Sequence, residues 1–369
     1  MKVNCKKQNL SDAVLNIQSV VSTKSPIPAL EGILVKTKDS MIELCGYDLE
    51  LGVTTLIDAD IEEPGSIVLN AKLFCDIVRK IQAENISIKT DDKLVTEITG
   101  GESKFSISGI TPDEYPELPE INETSSFSIP QNTLKSMIRQ TIFAISDNDA
   151  KPIHTGTLFE ITEDKMRLVS VDGYRLAIRE EPLKAGIKSS FVVPGKTLKE
   201  IMKLLGDGDD ETQIKIGTRH ILYNIGSYTV ISRLLEGEFL DYRAAIPQKA
   251  ETTVKVGVNE MTDSVSRISL IITERLKSPV RCIFGENEIK LFSTSSIGKA
   301  SDHLKAEISG SAVEIGFNNS YFLDAMNHTE CDEVKISLCG PLSPIKITPP
   351  DGESFIFLVL PVRLNNMSD

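Results

Sequence analysis

The stretch SIVLNAKLFCDIVRKI, residues 66–81, changes its period halfway along. Its first five residues read as a short strand, and from Ala71 the apolar side chains recur three and four apart, the spacing of one helix face. Strand runs directly into helix. The same design returns in SFVVPGKTLKEIMKLL from residue 190 and VEIGFNNSYFLDAMNH from residue 313, at offsets of 124 and 123. A second series repeats it independently: MKVNCKKQNLSDAVLNIQSVV from residue 1, SFSIPQNTLKSMIRQTIFAI from 126 and TVKVGVNEMTDSVSRISLII from 253, at offsets of 125 and 127. Two series with one period make the chain a threefold repeat of roughly 125 residues, each repeat built of two similar halves.

Between the helices lie runs of period-two alternation, among them GILVKTKDSMIEL, GTLFEITEDKMRLVSV, NISIKT and TQIKIG, punctuated by turn signals such as KDS, TED and DGDD. Each half reads as one helix and about four strands. An amphipathic helix must bury its stripe somewhere, so the expected fold class is α+β, with helices covering one face of antiparallel sheets. Polar, Pro-bearing stretches at PELPEINETSS (116–126) and AAIPQKAETT (244–253) put the expected domains at 1–122, 123–249 and 250–369.

Of 369 residues, 40% are hydrophobic and 25% charged, an ordinary folded composition; aromatics are only 5%, which leaves Leu, Ile and Val to fill the cores. No run approaches the ~18 apolar residues of a membrane span. The start, MKVNCKKQNL, has no apolar signal core, so a cytoplasmic protein without a membrane partner is expected. Six cysteines (Cys5, Cys45, Cys75, Cys282, Cys331 and Cys339) lie far apart with no C-x-x-C pair, which favours small buried hydrophobes over a zinc or disulfide framework.

A net charge of −13 argues at first against a polyanionic partner. The distribution matters more. Residues 70–82 carry Lys72, Arg79 and Lys80 against Asp76; residues 130–146 carry Lys135 and Arg139 with no acid; residues 194–206 carry Lys196, Lys199 and Lys203 against Glu200. Each of these helices is +2, and the other three are −1. An acidic shell around a comparatively basic helical layer lets an acidic protein hold a polyanion, although lysines also simply solvate helix faces.

No G-x-x-x-x-G-K-[ST], G-x-G-x-x-G, H-E-x-x-H or G-x-S-x-G occurs, and His154, His220, His303 and His328 have no neighbour at metal-ligand spacing. No catalytic centre, metal or cofactor is expected. The stretch VDGYRL (171–176) concentrates a carboxylate, a phenol and a guanidinium. CGYDLELG (45–52) and STSSIGKAS (293–301) take its place in the other repeats, where the bend recurs and the charges do not. Asp172-Gly173 is a turn dipeptide, and Tyr174, Arg175 and Leu176 suit a rim of contact groups better than a reaction centre.

These segments resemble those of the bacterial beta sliding clamps, the processivity subunits of the DNA polymerase III holoenzyme. SVDGYRLAIRE (170–180) is similar to the family's TDGHRLA segment, and LLEGEFLDYRAAIP (234–247) to its EGRFPDYRRVLP type. SGITPDEYPELP (108–119) resembles the end of the family's first domain, and FLVLPVRL (357–364) its closing MPMRL. The resemblance covers the whole length. It implies a non-enzymatic ring of two chains joined head to tail, with helices lining a hole for sequence-independent double-stranded DNA. Partners would be the polymerase III alpha subunit, the clamp loader and other polymerases or repair proteins, each docking through a short linear peptide.

Carried over by position, the resemblance implies a peptide pocket walled by His154, Val171, Gly173, Tyr174, Arg175 and Leu176. Its other side would be Leu240, Ala244, Ala245, Asn318, Tyr321, Pro344, Leu358, Leu360, Pro361, Val362 and Arg363, with Arg175 or Arg363 orienting the peptide. Leu240, Ala244 and His154 stand where a proline, a basic and an aliphatic residue are usual, and NNMSD follows the usual terminal Arg-Leu. DNA would face Lys72, Arg79, Lys80, Lys135, Arg139, Lys196, Lys199 and Lys203, with Lys24 ending the first helix. The chain-to-chain contact is expected between Phe105 and Ile107 on the last strand of the first domain and Ile271 and Ile272 at the end of the fifth helix. The alternative is a monomeric β-rich repeat protein acting as a ligand-binding or carbohydrate-active domain.

Overall fold

A computed structural model of the protein describes residues 1–148, 150–272 and 278–364. Six α-helices occur among them: α1 Lys7–Gln18, α2 Ala71–Lys80, α3 Gln131–Ile142, α4 Gly195–Leu204, α5 Val258–Ser269 and α6 Asn319–Asn327. In the opening stretch, strand Ser66–Asn70 meets α2 with no residue between. The switch is made by Asn70, whose side-chain oxygen accepts from the Leu73 amide at 3.0 Å and caps the helix. Phe74, Ile77 and Val78 then point inward while Lys72, Arg79 and Lys80 stay exposed. The first helix stops earlier than its pattern suggests, at Gln18, so Lys24 lies in the loop beyond it rather than at its end.

Packing divides the chain into two compact units that cut across the sequence repeats: Met1–Lys135 with Lys196–Leu234, and Ser136–Gly195 with Leu235–Asp369. The first unit holds an eight-stranded antiparallel sheet in which Tyr228–Arg233 pairs with Leu51–Asp58, Val230 opposite Val53. The second holds a nine-stranded sheet in which Arg175–Pro182 pairs with Phe355–Val359. Strands of successive repeats thus satisfy each other's backbone ladders, which an isolated repeat would leave bare. A five-stranded sheet ending in Val95–Gly100 and Ser103–Ser108 completes the first unit, and a four-stranded sheet ending in Val280–Gly285 and Val313–Phe317 the second. Helices pack in pairs, α1 on α2 and α5 on α6.

Cys5, Cys45, Cys75 and Cys282 are buried, Cys331 and Cys339 partly so, and all six are free thiols. Burial pushes the Cys5 thiol up to about 11 and Cys45 up to about 12, so neither offers a thiolate near neutrality. No helix among the described residues is long and apolar enough to cross a membrane. The NNMSD extension lies outside the described residues.

The expected contact residues differ in how far their own chain covers them. Ser103–Ser108 is an edge strand, with Phe105 37% exposed and Ile107 half-buried. At the end of α5, however, Ile271 and Ile272 are both half-buried. The Ile272 amide bonds the Ser269 carbonyl at 2.9 Å, turning the chain inward so that Ile272 packs against the core. The apolar side chain left outside is Leu270, 82% exposed.

Candidate peptide groove and cationic helix faces

The VDGYRL bend joins strands Lys165–Val171 and Arg175–Pro182. One carboxylate oxygen of Asp172 accepts from the amides of Tyr174 and Arg175 at 2.9 and 3.0 Å, and Gly173 takes φ +91°, a region that favours glycine. The other Asp172 oxygen accepts from Nε of Arg175 at 2.9 Å, and a second guanidinium nitrogen pairs with Asp324 on α6. The guanidinium also lies over the rings of Tyr321, at 4.8 Å, and Phe143, at 5.7 Å. With its side chain only 12% exposed, Arg175 is a brace within the wall and not a free hand for a peptide, which corrects the orienting role expected of it. The exposed member is Tyr174, stacked on Tyr321 at 5.7 Å. Tyr321 is placed in turn by Asn318, whose side chain caps α6 by accepting from the Ser320 and Tyr321 amides.

These groups border a groove of about 780 Å³ within the second unit. Of the expected pocket residues it brings together His154, Gly173, Tyr174, Arg175, Leu240 and Tyr321. Val171, Leu176 and Leu358 lie beneath, in a buried apolar cluster with Ile178, Tyr242 and Ile356, and form a floor rather than a lining. The C-terminal segment runs alongside: the Leu360 amide donates to the Tyr174 carbonyl at 2.9 Å, and that of Val362 to Gly316 at 2.8 Å. Pro361 bridges Phe317, and Leu360 and Val362 stay 40% and 37% exposed beside the bend. Arg363 is exposed. Ala244 and Ala245 are exposed on the 3-10 turn Tyr242–Ala245 but outside the groove, as is half-buried Pro344. That turn is pinned by Tyr242, whose hydroxyl donates to Glu160 at 2.5 Å and accepts from Arg167 at 3.0 Å.

The groove includes residues that the sequence reading did not single out: Ile145, Ser146, Asp147, Asn148 and Lys151, from the loop after α3. Its Ser-, Asn- and Asp-rich sequence signals a turn, with Ser146 and Asn148 accepting from the amides of Asn148 and Ala150, but a turn signal does not say which groove the loop borders. His154 sits edge-on to Phe239 at 5.5 Å, and burial, then the Lys151 ammonium, hold its imidazole below the usual range. Burial, then the nearby Asp172 carboxylate, push the Tyr321 phenol up.

The cationic faces are less open than their net charge suggests. Lys196, Lys199 and Lys203 are all exposed on α4, at spacings of three and four that share one face. Yet Lys196 pairs with Asp48, Lys203 with Glu200 at 2.8 Å, Arg79 with Asp76 at 2.8 Å, Lys135 with Asp207 at 2.7 Å and Arg139 with Glu330 at 3.0 Å. Three of those carboxylates come from outside the helix concerned, which a helix-by-helix charge count cannot see.

Three α+β repeats on antiparallel sheets and a groove of about 780 Å³ bordered by exposed aromatic and aliphatic side chains define a binding scaffold. Models of the DNA polymerase III beta subunit family match it throughout: the N-terminal domain over residues 1–119, the central domain over 128–241 and the C-terminal domain over 243–363. The chain belongs to that family, the beta sliding clamps. The Beta sliding clamp of Bacillus subtilis is 32% identical over 98% of this chain and all of its own length. The crystal structure of the Bacillus subtilis DNA polymerase sliding clamp superposes with a TM-score of 0.95 at 32% identity, covering 99% of this chain and 100% of that one. A Pseudomonas aeruginosa sliding clamp bound to griselimycin gives 0.94 at 26% identity over the same shares. This family assignment displaces the alternative of a carbohydrate-active or other ligand-binding repeat protein.

Proposed function

We propose that the chain is a DNA sliding clamp, a processivity factor and not a catalytic enzyme. Two copies join head to tail into a cytoplasmic ring that encircles duplex DNA without reading bases, each copy contributing domains 1–122, 123–249 and 250–369. The ring tethers polymerase III alpha subunit, clamp loader and other DNA-processing proteins through short peptides. The observation that carries this reading is the groove beside Tyr174 and Tyr321, with exposed Leu240, Leu360 and Val362 around it. A peptide with a glutamine and a Leu- or Phe-rich tail suits its apolar edge, and micromolar affinity, about −8 kcal/mol, is expected for so short a flexible ligand. DNA contacts from the α4 face are to phosphate, and weak salt-sensitive contacts let a ring slide.

Two experiments test this. After loading, retention on circular DNA should exceed retention on linear DNA, because a ring leaves only over free ends; equal retention overturns the topological reading. Deleting residues from Val362 onward should abolish binding of a labelled peptide, while deleting NNMSD alone should not; equal binding by the longer truncation would mean that peptides dock elsewhere than in this groove.

A further inference from the structure

We infer that Glu330 is a built-in competitor of DNA phosphate for Arg139, keeping the grip of α3 on DNA weak; this rests on the sliding-clamp reading above. One Glu330 oxygen accepts from the Arg139 guanidinium at 3.0 Å and the other from the Ser136 hydroxyl at 2.6 Å. Both donors belong to the outer face of α3, one turn apart. The carboxylate is delivered there by a fixed piece of backbone. The carbonyl of Thr329, a buried residue, accepts from the side chain of buried Gln140 on α3 at 2.9 Å, tying the segment after α6 to the helix. Glu330 itself is held at φ +54°, a conformation that L residues rarely adopt unless the surroundings impose it.

Two further ion pairs on these faces also take their carboxylate from outside the helix. Asp207, which holds Lys135, is 89% exposed on a Gly-rich loop, where an ion pair adds little. Asp48, which holds Lys196, is already the backbone acceptor of its own turn, bonding the Glu50 and Leu51 amides. Glu330 reaches its cation from a fixed backbone outside the helix, and both its oxygens are spent on the same face of α3, one on Arg139 and one on Ser136. A carboxylate and a phosphate make the same demand of a guanidinium, acceptor oxygens in its plane. Arg139 is half exposed, so a phosphate can reach it, but only by displacing Glu330 or by accepting a like charge beside it. In a protein that must travel along DNA, such competition lowers the friction of each contact without removing the cation.

The test is Glu330→Gln, which keeps the shape and removes the charge, with Glu330→Gly as a second variant suited to the left-handed backbone. Binding of a labelled linear duplex is followed by anisotropy across a fourfold range of salt. Both variants should bind more tightly at low salt, on the order of threefold, with a slope of log K against log salt steeper by about 0.9, the signature of one more neutralised phosphate. In an Arg139→Ala background the gain should vanish. Unchanged or weaker binding by both variants overturns the inference, and so does an equal gain without Arg139, which would make the effect one of overall charge. Changing Lys196, Lys199 and Lys203 together to Glu separates the two levels. If that variant loses DNA while Glu330→Gln gains nothing, the competitor fails and the clamp reading stands; if it keeps DNA, the cationic faces themselves have been misassigned.

Discussion

Leu176 and Leu358 face each other across the antiparallel pair of Arg175–Pro182 and Phe355–Val359, and both are almost wholly buried. The bend at VDGYRL and the C-terminal strand are therefore one continuous piece of sheet, and the groove edge is made where that sheet ends. Burial separates the residues that support the groove from those that touch a ligand. Leu176→Ala should cost the fold about 2–5 kcal/mol, as buried leucine truncations do, read as a lowered urea midpoint. Leu360→Ala, on the exposed side, should leave that midpoint nearly unchanged and weaken peptide binding by about 1–2 kcal/mol in an anisotropy titration. A Leu176→Ala protein of undiminished stability would show that the floor assignment is wrong.

Much of this architecture is legible in the sequence. The six strand-to-helix junctions were visible because side-chain periodicity changes within a few residues, as at Asn70, and the bend at Asp172-Gly173 because those residue types have few other uses. The partition into packing units was not, because the pairing of Tyr228–Arg233 with Leu51–Asp58 depends on which edge a strand meets in space. The groove was legible only in part for the same reason. Tyr174 and Leu240 could be picked out by resemblance, but the approach of Asp324 and Phe143 to Arg175 joins segments with no shared pattern. The charge of a helix face misled most: Arg139 looked unopposed until Glu330 was brought beside it by the turn after α6.

Arg175 offers the sharpest separation of charge from shape. Its guanidinium is shared between Asp172, Asp324 and two aromatic faces. Arg175→Lys keeps the charge but loses the plane that stacks on Tyr321 and the fork that meets two carboxylates. Arg175→Ala leaves both carboxylates without their shared cation and should lower stability on the order of 2 kcal/mol. Both variants should also release Tyr321, so peptide affinity falls even though Arg175 itself is nearly covered. Denaturation and peptide titration of the same samples check this; normal affinity in a clearly destabilised Arg175→Lys protein would break the link between brace and groove.

His154 gives the groove a pH dependence whose sign can be worked out. Burial and Lys151 lower its folded-state pKa, so the folded chain prefers the neutral ring, and unfolding takes up a proton wherever pH lies between the two values. The stabilising contribution is present above the ordinary imidazole value and is lost as pH falls through the lower folded one. His154 shares the groove with Lys151, Arg175, Asp147 and Asp172, so a protonated ring adds a third cation there, partly offset by the two carboxylates. Apolar peptide tails should bind less well on acidification, and His154→Leu should flatten the profile. The imidazole titration followed by NMR, set beside peptide affinity at each pH, checks both halves; a ring titrating above the ordinary value would reverse the sign.

The last prediction concerns the contact between copies. Phe105 lies on an edge strand whose outer ladder is unpaired within its sheet, and an exposed apolar edge is an aggregation hazard unless a partner covers it. The half-buried Ile272 already packs on its own core, so changing it to Ala should cost stability as well as any association. Leu270 touches far less of its own chain and is the cleaner probe. Leu270→Asp should place a charge in the proposed interface while leaving the fold intact, giving a monomer of 40.6 kDa in place of twice that mass. Phe105→Asp should do the same from the opposite side, as a head-to-tail contact requires, since each interface uses one patch from each copy. Sedimentation equilibrium distinguishes the outcomes. Dimers that survive both changes would place the contact elsewhere, whereas loss of the dimer from Ile271 and Ile272 substitutions alone would return the interface to the isoleucines.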